Sequence, residues 1–67
     1  MVLNGEMIKF EAVVQFDNLP DRFVIVHARD MASAVTVAEM KAALAAYDDA
    51  EHPNPLGARV VAIKEDS

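Results

Sequence analysis

From Met7 to Phe16 the chain alternates, with Ile8, Phe10, Ala12, Val14 and Phe16 interleaved by Lys9, Glu11, Val13 and Gln15. A period of two puts the first set on one side of a strand and predicts a sheet with one strongly apolar face. Asp17-Asn18-Leu19-Pro20-Asp21 then supplies turn formers, and Pro20 cannot continue a hydrogen-bond ladder, so a hairpin connection is expected. A second strand follows over Arg22 to Ala28, with Val24, Val26 and Ala28 on one face and Phe23, Ile25 and His27 on the other. Apolar residues on both sides of this strand call for cover on both sides.

Asp30 is placed to cap a helix, since its carboxylate can accept from a free amide of the first turn and its charge suits the positive end of the helix dipole. The alanine-rich stretch to about Tyr47 favours helix. Within it Ser33, Val37, Met40, Leu44 and Tyr47 recur at spacings of three and four, which predicts a narrow stripe turned toward the sheet, with Thr36, Glu39 and Ala43 pointing away. Asp48 to Gly57 holds Pro53, Pro55 and Gly57 and reads as a connector. Ala58 to Lys64 is the last strand, pairing Val61 with Ile63 on one face and Val60 with Ala62 on the other, and the acidic tail from Glu65 is expected to fray, as is the segment before Met7.

Strand direction fixes the topology. If the first strand runs down, the second runs up, the helix returns and the third runs up, so the third fits best beside the first. The expected fold is therefore a single α+β domain over residues 1–67, ββαβ, with three strands in order 2-1-3 and one helix on one face, like half of a ferredoxin-like domain.

One helix leaves the second face bare. A 67-residue domain buries only about 60% of its unfolded surface, and with no cysteine neither disulfides nor thiolate metal sites can reinforce it. Oligomerisation becomes the expected reinforcement, and Val13, Phe23, Ile25 and His27 are the candidate interface, leading to a homodimer through the open face. A fold-back of Met1-Val2-Leu3 or of the Pro53 to Leu56 loop is the alternative cover. The free edges of the second and third strands offer strand addition by a partner as a further mode.

The net charge of -5 comes from 6 Lys and Arg against 11 Asp and Glu. The basic residues are scattered singly, which disfavours direct nucleic-acid binding and anionic membranes. No apolar run approaches the ~20 residues of a spanning helix, and Met1 to Glu6 lacks the regions of a signal peptide. A cytoplasmic location is expected, consistent with the missing cysteines.

Candidate chemistry is sparse. His27, Asp30 and Ser33 lie three apart, yet a strand residue and two residues of a helix start do not build a triad, and no oxyanion feature accompanies them. Asp48, Asp49, Glu51 and His52 carry metal-ligand groups at a spacing that matches no calcium loop, so Asp48, Asp49 and Glu51 are read as an acidic surface rather than a metal site. Neither a metal nor a cofactor is expected. With no catalytic set, the chain reads as a non-enzymatic protein-binding module. Two other readings stay open: a ligand-binding or catalytic unit sharing a subunit-interface pocket around His27, and an acidic mimic of nucleic acid.

The succession Ile8-Lys9-Phe10-Glu11-Ala12-Val13-Val14, Phe23-Val24-Ile25-Val26-His27-Ala28 and Asp30-Met31-Ala32-Ser33-Ala34-Val35 resembles many short ββαβ accessory proteins encoded by bacteriophages and prophages. The resemblance is one of composition and topology. It implies binding and inhibition or redirection of a host protein, and it carries over no functional residue.

Overall fold

The computed structural model describes residues 7–49 and 54–66. Its elements are β1 (Ile8–Gln15), β2 (Arg22–Ala28), α1 (Met31–Asp48) and β3 (Arg59–Glu65). The strands form one antiparallel sheet in the order β2-β1-β3, the α+β ββαβ arrangement expected from strand direction. β1 is central, and its alternation puts Phe10, Ala12 and Val14 under the helix beside Val24, Val26 and Ala28 of β2, with Phe16 just beyond the strand.

The helix starts where expected. Asp30 has extended backbone, and its Oδ1 accepts from the Ser33 amide at 2.7 Å. That bond, the largest of several favouring the charged form, holds the Asp30 carboxyl below the usual carboxylate range.

Its orientation overturns the expected one. The side chains buried against the sheet are Ala34, Ala38, Ala42 and Ala46, while Met40, Leu44 and Tyr47 are 60, 64 and 62% exposed. The stripe of large residues exists but points away from the sheet, and Val37 lies exposed beside it. The reason is steric. Two phenylalanines and the valines of β1 and β2 already fill the space above the sheet, and methyl side chains let the helix backbone come close enough to close the core over them. Successive alanines four apart drift only slowly round a helix of 3.6 residues per turn, so all four reach the same layer.

β3 also departs from simple alternation. Val13 pairs with Ala62 but Val14 pairs with Val60, so Val61 is the extra residue of a bulge. The bulge lets Val60 and Ile63, three apart, both pack against the core, where strict alternation would have sent them to opposite faces. Ala62 and Val61 are left exposed. Glu65 belongs to β3 and the Asp66 amide donates to the Lys9 carbonyl at 2.8 Å, so these two residues of the tail are paired with β1; Ser67 lies outside the described residues. The expected fraying before Met7 lies outside the described residues.

The hairpin turn is a docking point for the segment leading into β3. Asn18 donates from Nδ2 to the Asn54 carbonyl and accepts at Oδ1 from the Leu56 amide, at 2.8 and 3.0 Å. The Asp17 amide donates to the Leu56 carbonyl at 2.9 Å. Arg59 ties the junction by donating to Asp17 and to the Gly57 carbonyl, each at 2.9 Å, and to Gln15 at 2.8 Å. Gly57 adopts φ +69, the left-handed region that favours glycine, and a Cβ there would have to displace the Asp17 carboxylate.

Candidate interaction surface

β1 and β2 place the candidate residues in register on the face away from α1. Val13 lies opposite Phe23, Glu11 opposite Ile25 and Lys9 opposite His27. Phe23 is 58% exposed, His27 is exposed, and Val13 and Ile25 are half-buried by their neighbours in the sheet. Across β1, Ala62 pairs with Val13. A small residue beside the bulge leaves a shallow depression of about 180 Å³, walled by the side chains of Val13, Phe23 and Ala62, with Glu11 and Lys64 at its lip.

The charged residues around this apolar centre are balanced. Lys9 pairs with Asp66 at 3.2 Å, Lys64 with Glu11 at 3.9 Å and Arg59 with Asp17 at 2.9 Å. These are exposed pairs and contribute little to stability, yet they make the face close to neutral on a chain of net charge -5.

His27 is in place on the face but lines neither this depression nor another that lies between Pro20, Arg22 and Phe23 and Ala46 of α1 with its cap Asp49. Of the His27, Asp30 and Ser33 set, Asp30 caps the helix by accepting from the Ser33 amide. Of the acidic residues, Asp48 and Asp49 are exposed, and Asp49 forms an ion pair with Arg22 at the helix C-terminus. That guanidinium offsets a carboxylate that would otherwise oppose the helix dipole. Glu51 and His52 lie outside the described residues, as do Met1-Val2-Leu3 and Pro53 of the fold-back alternatives. Among the described residues no group of three metal-ligating side chains converges, and no helix is long and apolar enough to cross a membrane.

Both free sheet edges are guarded from the helix. Lys41 donates its ammonium to the Ile25 carbonyl of β2 at 2.6 Å, and the Val60 amide of β3 donates to Glu39 at 3.1 Å. Backbone groups already engaged, with charges held over them, disfavour strand addition at these points.

A second apolar surface, hidden from size-based reading, is the outer side of α1. The signal for it was the i, i+4 run of alanines, which marks an equally good buried stripe and leaves Val37, Met40, Leu44 and Tyr47 for the other side. No family model, curated protein or solved structure matches the chain.

Proposed function

We propose that the chain is a non-enzymatic protein-binding module of the cytoplasm that pairs with a second copy through the open sheet face and acts by contact with a protein partner. The observation that carries the reading is Phe23, a large aromatic 58% exposed on the edge strand β2, on a sheet face that also presents Val13, Ile25 and Ala62. An aromatic left this open on a sheet face costs hydration free energy that a partner surface recovers. Charge supports a second copy as the occupant: the three ion pairs around the face cancel locally, so two copies can meet there without bringing their excess carboxylates together. The cysteine-free composition agrees with a reducing compartment, and the depression beside Phe23 offers a socket for an apolar side chain from the facing copy.

Sedimentation velocity across micromolar concentrations tests this. The chain should sediment as twice its 7.3 kDa, and Phe23→Lys should sediment as a folded monomer, since the replaced side chain is outside the core. A wild-type chain that stays monomeric at every concentration would overturn the reading.

A further inference from the structure

We infer that the two copies meet with their twofold axis running along β1, so that Phe23 of each fills the depression over Ala62 of the other. This rests on pairing through the open sheet face and adds to it which residues touch. β1 is central, with β2 on one side and β3 on the other. Val13 pairs with Phe23 across one ladder and with Ala62 across the other, so the three form one row across the sheet. The row is lopsided. An exposed aromatic stands at its β2 end, and an exposed alanine beside a depression of about 180 Å³ lies at its β3 end. Each end is one strand spacing, about 4.8 Å, from the line of β1.

Symmetry turns this asymmetry into a fit. A twofold contact uses the same patch on both copies, so the bump on one must meet the hollow on the other. Rotation about β1 exchanges the β2 and β3 sides, which lays Phe23 over Ala62 of the facing copy twice and Val13 over Val13 once. Facing sheets stand about 10 Å apart, a gap that one large and one small side chain fill between them. An axis across the strands instead keeps each strand over its own copy. It sets phenylalanine against phenylalanine at one end of the row and alanine against alanine at the other, overfilling the first and leaving a void at the second.

Charge agrees with the same rotation. It brings His27 of β2 to the side of the facing copy that carries Asp66, and it lays Ile25 toward the aliphatic stem of Lys64. Lys9 and Glu11 lie on β1 and therefore face their own copies. Each is already paired within its chain, Lys9 with Asp66 at 3.2 Å and Glu11 with Lys64 at 3.9 Å, as is Arg59 with Asp17. What meets across the axis is one neutral pair and another.

The experiment separates the axis from the pairing itself. In a mixture of isotope-labelled and unlabelled wild-type chains, isotope-filtered NOE spectra select contacts between copies. They should connect the Phe23 ring to the Ala62 methyl, and the Val13 methyls to one another. Ala62→Phe fills the depression and should weaken the dimer about tenfold or more in sedimentation, as should Phe23→Ala. Both positions are exposed, and circular dichroism checks that the variants fold. Carrying both changes moves the bump to β3 and the hollow to β2, so the double variant should recover most of the lost affinity. Contacts between the two Phe23 rings with none from Phe23 to Ala62, or a dimer that Ala62→Phe leaves unchanged or tightens, would overturn the axis while leaving the pairing. A double variant that pairs no better than the single ones would overturn it as well. A wild-type chain that stays monomeric would remove the pairing and this inference with it.

Discussion

Replacing Ala38 with leucine should destabilise the chain far more than replacing Leu44 with alanine, the reverse of what side-chain size suggests. Ala38 has no exposed surface, sits between Ala34 and Ala42 on the buried side and belongs to the same cluster as Phe10, Val24 and Val26. Leucine adds an isopropyl group where the helix backbone is held close to the sheet, so either the helix lifts or the side chain takes a poor rotamer. Overpacking of this kind costs about 1 to 3 kcal/mol. Leu44 is 64% exposed, and alanine is the better helix former, so Leu44→Ala should stay within about 0.5 kcal/mol of wild type. In urea, with a slope of about 1 kcal/mol per molar for so small a domain, Ala38→Leu should lower the midpoint by about 1 to 3 M. Protein concentration must be matched, because the midpoint of a dimer depends on it. The opposite result, Leu44→Ala losing the 2 kcal/mol or more typical of a buried leucine with Ala38→Leu nearly silent, would mean that the helix presents its other side to the sheet.

Gly57→Ala should cost about 1 to 2 kcal/mol from its left-handed backbone alone, plus whatever displacing the Asp17 carboxylate adds; a double-mutant cycle with Asp17→Ala in urea should recover the second part and leave the first. Asp30→Ala should lower the thermal midpoint at neutral pH through loss of the Ser33 bond. The folded carboxyl titrates below its unfolded value, so the capping contribution is complete above about pH 4 and fades as pH falls through the folded value, and the gap between wild type and variant should close there in a pH series of melts. Lys41→Ala uncovers the Ile25 carbonyl at the free edge of β2 and should raise the aggregation rate of the folded chain in light scattering; an unchanged rate would remove Lys41 as an edge guard.

Much of the fold is legible in the residues because it rests on local rules. The alternation of β1, the turn chemistry around Pro20 and the Asp30 cap are short-range signals, and strand direction with a right-handed crossover leaves the order β2-β1-β3. What was illegible depends on distant partners. The helix carries two apolar stripes, and only the volume already filled by Phe10, Phe16 and the strand valines decides that the alanine stripe goes inside. The bulge at Val61 has no local signature, since it satisfies the burial of Val60 and Ile63 across from Val14 and Ala12. The clamp of Asn18 on Asn54 and Leu56 joins segments 36 and 38 residues apart, beyond any periodicity. Of the candidate interface, Val13, Phe23, Ile25 and His27 share a face because the register of β1 with β2 follows from alternation alone. The large apolar stripe of α1 is visible as spacing, but spacing alone does not say which of the two stripes meets the sheet.

Methyl NMR with a soluble paramagnetic probe, run on the wild-type chain at high concentration and again after dilution, tests the two-surface account most directly. The account predicts that Val13, Ile25 and Ala62 are shielded at high concentration and become accessible on dilution, while Met40 and Leu44 are accessible throughout. Shielding of Met40 and Leu44 with the sheet-face methyls open at both concentrations would contradict it.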